Sequence, residues 1–549
     1  MLTLKQFGIV LAFLFPGFIL GNTGDPGSAI NPSWVSILPP LVAIALALIT
    51  RQAHLALFIG VWLGAVILNG GIISGLTTTL DTYIVESITD KGHASILVFT
   101  LAFGGLIGVI SANGGMKGMV EMAARYATSN KKGQLTTMAM GIMIFFDDYA
   151  NTLLVGNMMR PFTDNARISR EKLSYLVDST AAPVASLAII STWSIFQMSL
   201  LDVPFAQFGI TENPYFIFLN SIPYSFYCLL TLVFMLMNIL TAREFGPMLR
   251  AEQRARRTGE VLAPGAQPLS DPNLMAEGTK TGATHWSNAL VPVSLVILVT
   301  ALGLFFTGKD ALGPGSHSLR EIIGEADPYA TIIWSASVSG MAAILMTVMK
   351  RILTLNGVME AWINGVRSMV MACVILVLAW TIGRICTDMK TAEFLVGISA
   401  EVLSPSLLPL ITFLTAAAIS FSTGSSWATM SILVPVVVPM TVQLMNIEAN
   451  TVVHDPIFLS TFSAILSGSV FGDHCSPISD TTILSSTATS ADHIDHVRTQ
   501  MPYAVSVAFI AMVVGYCGIG LNLSLPVILL VSILLLAVLF RFYGKPIDN

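Results

Sequence analysis

Two stretches in each half of the chain place acidic and hydroxyl side chains inside apolar segments. In the first half, FFDDYANT at 145–152 is followed by DSTAAP at 178–183. In the second half, STGSS at 422–426 is followed by DHCSPISDT at 473–481. A charged side chain inside a bilayer costs about 2.5 kcal/mol or more and is rare unless it lines an ion or proton path. The four stretches therefore predict a path for ions across a membrane.

The chemistry of these stretches suits a small cation. Glycine and proline interrupt helices and free backbone carbonyls, and hydroxyl, amide and carboxylate oxygens add further hard ligands. A desolvated carboxylate can hold either Na⁺ or H⁺, and competition of the two ions for one acid is the basis of antiport. The alternative is that the acids form buried ion pairs with structural roles, for which Arg384 is the main basic residue at a matching depth. The predicted ion or substrate ligands are Asp147, Asp148, Asn151, Thr152, Asp178, Ser179, Thr180, Ser422, Thr423, Ser425, Ser426, Asp473, His474, Ser476, Asp480 and Thr481. For His474, a proton relay and a hydrogen-bonded neighbour of the acid both remain open.

Composition restricts the class of protein. The 549 residues are 54% hydrophobic and 11% charged, against about 25% charged in soluble domains. Apolar runs of bilayer-spanning length recur along the chain, which predicts an all-α polytopic membrane protein. The net charge of −5 argues against a nucleic-acid partner, and the five cysteines contain no CxxC pair. Without a Walker, HExxH or GxSxG motif, we expect neither ATP drive nor an intramembrane enzyme, and no cofactor beyond transported Na⁺ and H⁺.

The basic residues predict the topology. Lys131 and Lys132 precede the segment 134–159, and Arg160 and Arg167 follow its core, so a single crossing would put one basic cluster outside. A re-entrant hairpin with its tip near 148–151 keeps both clusters inside. The segment 406–440 is interpreted in the same way, and 457–486 as a full span. The ten other predicted spans are 35–50, 53–79, 94–112, 173–199, 214–241, 286–307, 328–350, 367–386, 502–521 and 523–542.

This map makes the two halves inverted repeats. At a constant offset of 275 residues Leu101 meets Leu376, Gly108 meets Gly383, and the tip 147–151 meets 422–426. Inverted repeats with interrupted helices at the midplane are typical of secondary transporters. The predicted units are an N-terminal segment 1–34, repeats 35–241 and 286–521, a mobile cytoplasmic linker 242–285, and a C-terminal span and tail 522–549. Residues 1–21 are equally consistent with a cleaved signal and a short anchor.

One further polar motif, DHIDH at 492–496, has the composition of a metal cluster. It lies at the predicted inner end of a span. We interpret Asp492 instead as the cap of a short helix at the membrane interface.

Four motifs give the chain a resemblance to a known family. FFDDYANTLLVG (145–156), VDSTAAPVAS (177–186), FSTGSSWAT (421–429) and FGDHCSPISDTTILSS (471–486) resemble the NhaC family of sodium/proton antiporters, within the ion transporter superfamily. The resemblance implies two re-entrant hairpins, two unwound helices, an elevator-like motion, a bacterial inner membrane and a possible homodimer. It implies Na⁺/H⁺ exchange, with an ion-coupled carrier of organic anions such as malate and lactate, or of amino acids, as the alternative.

Overall fold

The chain is built almost entirely of helices, as seen in a computed structural model. The structure describes residues 32–50, 52–124, 126, 128–268, 285–315, 317, 322, 325–399, 404–446 and 452–547. The predicted signal-like segment 1–21 and part of the predicted linker lie outside these residues. Within them, eight helices are long and apolar enough to cross a membrane, or up to eleven if each of three bent helix pairs is one span. The prediction of a polytopic helical membrane protein is confirmed.

The first half begins with a short 3₁₀ turn at Trp34–Ile37 and continues as a series of helices. Several of these helices are interrupted within one apolar run. The described helices are α1 Leu38–Thr50, α2 Ala53–Asn69, α3 Ile72–Thr89, α4 Lys91–Ala112, α5 Gly115–Ala124, α6 Asn130–Met143, α7 Asp148–Asn165, α8 Arg170–Asp178, α9 Ala182–Leu187, α10 Thr192–Ser199, α11 Asp202–Phe208, α12 Pro214–Ser221 and α13 Phe226–Thr241.

The second half follows a short strand, β1 Arg243–Glu244, and ends with its partner strand, β2 Lys545–Pro546. The two strands pair antiparallel, so the end of the chain is tied to the junction between the halves. The described helices are α14 Gly246–Thr258, α15 Ser287–Leu312, α16 Pro328–Met349, α17 Leu355–Ser368, α18 Val370–Asp388, α19 Thr391–Ser399, α20 Leu408–Thr423, α21 Ser426–Met445, α22 Pro456–Cys475, α23 Asp480–Thr489, α24 His493–Gly520 and α25 Leu525–Phe542.

The predicted single span 53–79 is wrong. Helix α2 ends at Asn69, and Gly70 takes the left-handed conformation with φ of 71°. The chain then turns by 117° into α3. A residue without a side chain reaches this conformation at little cost, so the Gly70–Gly71 pair ends the helix in the middle of an apolar run.

Other predicted spans differ in their limits or their shape. Two pairs bend by 47°: Arg170–Leu187 with Thr192–Phe208, and Pro214–Tyr224 with Phe226–Thr241. The predicted span 367–386 belongs to a 34-residue stretch, Leu355–Asp388, and the predicted span 502–521 belongs to α24, which begins at His493. The predicted limits were drawn around apolar residues only. Because these helices begin with polar turns, the predicted spans are shorter than the helices.

Helices α6 and α7 form a hairpin whose open ends meet. The amide of Asn130, in the first turn of α6, donates to the carbonyls of Ala166 and Arg167 after the end of α7, at 3.3 and 3.4 Å. Helices α20 and α21 are joined by a two-residue turn at Gly424 and Ser425, and the turn that precedes α20 contacts α21. Each hairpin therefore has a tip remote from its ends.

The helices that precede the hairpins pack reciprocally. Helix α4 of the first half packs on α16 and α17 of the second, while α18 of the second packs on α2 and α3 of the first. The contact between α4 and α17 requires glycine on both sides, because a Cβ at Gly365 would lie 2.1 Å from the carbonyl oxygen of Gly104. The two halves are thus interleaved.

The predicted mobile loop at 242–285 is wrong for its first part. Helix α14 occupies Gly246–Thr258 and packs on α8 and α24. Its buried residues are Met248, Ala251, Glu252 and Ala255, which lie on one helical face. Met248 is the one large apolar side chain among these four residues. Because the rest of the segment is rich in arginine, its composition predicted a loop and not a packed helix.

Candidate functional site

The first hairpin tip rests against the break between α8 and α9. Asp147 caps α7: its Oδ1 accepts the N–H of Ala150 at 2.8 Å, and its Oδ2 accepts the hydroxyl of Thr192 at 3.4 Å. Gly141 permits the contact with the break, because a Cβ there would lie 2.0 Å from Oγ1 of Thr180. The Thr180 hydroxyl itself donates to the Leu176 carbonyl at 2.8 Å.

The amide of Asn151 fixes the hairpin to the broken helix. Its nitrogen lies 2.6 Å from the carbonyl of Gly141, 3.1 Å from that of Ile144 and 2.8 Å from that of Thr180. Within the described part of the chain, Oδ1 of Asn151 and Oγ1 of Thr152 are buried and have no hydrogen-bond partner.

These two oxygens share one face of α7 with a carboxylate. Asp148 lies three and four residues before Asn151 and Thr152, so the three side chains occupy the same face of the first turn. All three are at least 98% buried. A buried oxygen without a partner costs about 1–3 kcal/mol, and a bound ion would remove that cost.

The second hairpin tip rests against the break between α22 and α23. Gly424, with φ of 69°, would place a Cβ 2.6 Å from the Ile478 carbonyl oxygen. Ser425 caps α21 by accepting the N–H of Ala428, and Ser426 donates to the Ser469 carbonyl at 3.1 Å. Asp147 and Ser425 thus occupy equivalent positions, because each caps the helix that follows its hairpin tip. Their separation in the sequence differs by three residues from the predicted offset of 275.

The other two residues of this tip bond within their own helix. Thr423 donates to the Ile419 carbonyl at 2.9 Å, and Ser422 donates to the Ala418 carbonyl at 2.8 Å. Ser422 is also exposed. The structure brings neither hydroxyl into the network around the acids.

Asp178, at the end of α8, is held by the second half of the chain. Its Oδ1 accepts the Ser485 hydroxyl at 3.2 Å, and its Oδ2 lies 2.6 Å from Nε2 of Gln500 and 3.3 Å from Nε2 of His496. The neighbouring Ser179 hydroxyl lies 3.1 Å from Nε2 of His474. This network joins the two halves of the chain at the two helix breaks.

The second-half break carries the remaining predicted residues. Asp473 accepts the Thr481 hydroxyl at 2.9 Å, and the Ser476 hydroxyl accepts the N–H of Ile478 at 3.3 Å. Asp473 is buried and lies close enough to Asp148 for a direct electrostatic interaction. Asp480 is itself exposed at the start of α23, where it lies close to Asp473 and to the Tyr149 hydroxyl of the first hairpin tip, and it makes none of the hydrogen bonds to Asp178.

Four residues of the network were not predicted from the sequence: Tyr227, Ser485, His496 and Gln500. The Tyr227 hydroxyl lies 2.6 Å from Nδ1 of His474, which fixes that ring between Tyr227 and Ser179. His496 and Gln500 are one turn apart on α24, and this polar pair entering an apolar helix was an available signal. The predicted cap is present, because Asp492 accepts the N–H groups of Ile494 and Asp495, but the helix that it caps is the 28-residue α24 and not a short interfacial helix.

A cavity of about 560 Å³ borders the first tip, between α4, α7 and α17. Its lining includes Ser111, Asp147, Tyr149, Asn364 and Ser368. On α4, the residues that line this cavity all lie in the C-terminal half of the helix, between Ile107 and Ala112. Within the described residues, no three His, Cys, Asp or Glu side chains are grouped as in a multivalent metal site. The two breaks instead bring buried carboxylates together with neutral hydroxyl and amide side chains.

Comparison with known proteins identifies the family. The model of the Na⁺/H⁺ antiporter family matches residues 184–520. The chain belongs to this family. An uncharacterised protein of Haemophilus influenzae is 31% identical over 89% of this chain and 91% of its own. The arginine/ornithine antiporter ArcD of Halobacterium salinarum is 26% identical over 43% of this chain and 42% of its own.

A solved structure has a similar fold. The YdaH transporter of Alcanivorax borkumensis superposes with a TM-score of 0.53 at 14% identity, covering 83% of this chain and 90% of that one. The family confirms the resemblance to sodium/proton antiporters that the four motifs predicted. The Na⁺/H⁺ antiporter family member described here is a membrane transporter.

Proposed function

We propose that this Na⁺/H⁺ antiporter family member exchanges Na⁺ for H⁺ by alternating access. The observation that carries the proposal is the first turn of α7, where Asp148 shares one face with the unpartnered oxygens of Asn151 and Thr152. A dehydrated Na⁺ needs such oxygens, and a proton on the carboxylate would replace it. Asp473 supplies a second buried acid from the other repeat.

The fold supports the mechanism. The meeting ends of the α6–α7 hairpin and the reciprocal packing of α4 and α18 favour inverted repeats with two re-entrant hairpins. The cavity beside Asp147 would open the site to the cytoplasmic half, given the basic residues that flank α6 and α7. We place the protein in a bacterial inner membrane, with the hairpins and broken helices moving together as an elevator. By analogy with the superfamily, we include a homodimer in the proposal.

The test uses purified protein in vesicles that contain a pH-sensitive dye. With the native protein, adding NaCl alone to the outside should drive protons across the membrane in the direction opposite to Na⁺. Asp148→Asn keeps the side-chain shape and removes the carboxylate for which Na⁺ and H⁺ would compete, so exchange should be abolished. Asp81→Asn changes an exposed acid and serves as the matched control. Normal exchange by a folded Asp148→Asn protein would exclude this carboxylate as the carrier.

A second candidate, ion-coupled transport of a small organic anion or amino acid, is favoured by the cavity of about 560 Å³ beside Asp147, which is far larger than a dehydrated ion. The relative named as an arginine/ornithine antiporter supports the amino-acid form of this candidate. In the same vesicles, proton movement that requires an amino acid or organic acid in addition to NaCl would favour this function over Na⁺/H⁺ exchange.

A further inference from the structure

Two cavities meet at the opposite end of α4 from the site beside Asp147. Their volumes are about 580 and 470 Å³, and both are lined by Asp90, Asp202 and Ala206. The walls come from the start of α4, from α11, from the starts of α12 and α16, and from the end of α18. Neither cavity includes any residue of the ion site proposed above.

The walls carry six acids against two basic residues, Lys91 and Arg384, and most of the acids already have a partner. Asp90 and Asp327 cap α4 and α16 by accepting the N–H groups of His93 and Ala330, each at 3.0 Å. Glu86 forms an ion pair with Arg384. Asp388 accepts the hydroxyl of Tyr83 at 2.7 Å. These contacts explain four of the six acids without a ligand. They leave Asp202 and Glu212, each of which has a buried carboxylate oxygen without a hydrogen-bond partner in the described part of the chain; Asp202 is the one shared by both cavities.

Asp202 and His93 face each other, and each has one buried polar atom without a hydrogen-bond partner in the described residues. Oδ1 of Asp202 accepts the Tyr329 hydroxyl at 2.5 Å, while its Oδ2 is buried and has no hydrogen-bond partner in the part of the chain that the structure describes. The same holds for Nε2 of His93, a residue that is only 5% exposed. The two atoms are 3.8 Å apart, too far for a direct hydrogen bond.

The other ring nitrogen defines what Nε2 can accept. Nδ1 of His93 lies 2.9 Å from the carbonyl oxygen of Ser87. A carbonyl only accepts, so Nδ1 carries the hydrogen and Nε2 of the neutral ring presents a lone pair. The ring is held in this orientation by stacking on Trp380, with centroids 3.9 Å apart and planes at 3°. Two fixed acceptors therefore converge on one point and lack a donor.

We propose that these two adjoining cavities form one site, which binds the primary ammonium group of a small organic cation at His93 and Asp202. An ammonium has three N–H donors, so it can satisfy Nε2 of His93 and Oδ2 of Asp202 together, and its charge suits the acidic walls. Phe205, Ile333 and Trp334 line the adjoining cavity and would contact the apolar part of the molecule. The inference concerns a site separate from the proposed Na⁺/H⁺ exchange and does not depend on it.

The test is calorimetric titration of the purified full chain in detergent at constant ionic strength. We expect saturable binding of n-butylammonium chloride and none of tetramethylammonium chloride, which has the same charge but no N–H donor. Asp202→Asn keeps an acceptor for Tyr329 and removes the charge, so the affinity should fall about ten- to a hundredfold. Asp81→Asn, an exposed acid on α3, should bind like the native protein.

A second variant covers the case in which Asp202→Asn does not fold. His93→Phe keeps a ring on Trp380 and removes the acceptor, so it should also weaken butylammonium binding, with the melting temperature of each variant reporting its fold. Equal binding of butylammonium and tetramethylammonium would overturn the proposal, because it would show attraction to charge without donor recognition. Equal affinities in Asp202→Asn and Asp81→Asn, or no saturable binding of butylammonium at all, would overturn it too.

Discussion

The buried acids of the site have different surroundings and therefore different roles. Asp178 accepts three side-chain donors, from Ser485, His496 and Gln500, so its charge is compensated within the protein. Asp148 belongs to a helical turn in which the oxygens of Asn151 and Thr152 have no partner. We infer that Asp178 joins the two halves at the breaks, while the acid at the hairpin tip carries the exchangeable ion.

If Gln500 helps to compensate the buried charge of Asp178, replacing Gln500 should lower the stability of the folded protein. Gln500→Leu removes the shortest of the three hydrogen bonds and leaves a buried charge short of a donor, so we expect a loss of about 1–3 kcal/mol. Thermal unfolding in detergent should show a clearly lower melting temperature than Gln443→Leu, which changes a partly exposed side chain on α21. Equal melting temperatures would mean that Gln500 does not compensate Asp178.

A second prediction at this scale concerns Asp473. Because Asp473 of the second half interacts electrostatically with Asp148 of the first half, Asp473→Asn should change the Na⁺ concentration for half-maximal exchange as well as the rate. Vesicle assays over a range of NaCl concentrations measure both quantities. A folded variant that is slower but has the native Na⁺ dependence would give Asp473 a structural role only.

At the scale of elements, each hairpin tip and its partner break form one packed unit. The first unit depends on the absence of a side chain at Gly141, against Thr180. Gly141→Ala should therefore separate the tip from the break, at a cost of about 1–3 kcal/mol and with impaired exchange. Gly397→Ala, on α19 with no atom within 4 Å of the added Cβ, should leave melting temperature and exchange unchanged.

The hairpins also predict which residues face the same side of the membrane. In a background without native cysteines, cysteines at Ser129 and Asn165 should both be labelled by a membrane-impermeant reagent from the cytoplasmic side. Both positions are exposed at the meeting ends of α6 and α7. A cysteine at Asn446, exposed at the end of α21, should be labelled only from outside. Labelling of Ser129 and Asn165 from opposite sides would make 134–159 a true span.

The sequence predicted the four polar stretches because each is a local departure from an apolar run. It did not predict that His496 and Gln500 meet Asp178, because a contact across more than 300 residues leaves no local pattern. The bend at Gly70 was missed because hydropathy continues through it. Helix α14 was missed because its buried face is made of small and charged residues.

At the scale of the whole molecule, α14 lies between the two halves of the chain, packs on α8 and α24, and makes a buried polar contact with α8. Glu252 of α14 accepts the N–H of Ser169, at the start of α8, at 2.8 Å. Beside it, Lys172 of α8 forms a fully buried ion pair with Glu244 of β1, at 2.8 Å. The junction is therefore a packed element that contacts the same helix that carries Asp178.

This contact predicts a pH dependence of stability. Burial, aided by the charge of Glu244 and opposed by that of Lys172, raises the pKa of Glu252 from 4.5 to about 7. The folded chain thus binds this proton more tightly than the unfolded chain, so stability should fall by about 3 kcal/mol as pH rises from 4.5 through 7. Melting temperatures between pH 5 and 8 should show the fall.

The matched variants isolate the carboxyl group. Glu252→Gln should remove this part of the pH dependence, whereas Glu260→Gln, an exposed acid just after α14, should retain it. An unchanged pH profile in Glu252→Gln would assign the dependence to other groups.

The Asp178 network also has a consequence for how the protein is made. Its three donors lie 307 to 322 residues later in the chain, so a ribosome adding about 5–20 residues per second completes them roughly 15–60 s after Asp178. During that interval Asp178 lacks the three donors that compensate its charge in the folded chain. The break between α8 and α9 can therefore reach its final arrangement only after the last helices are translated.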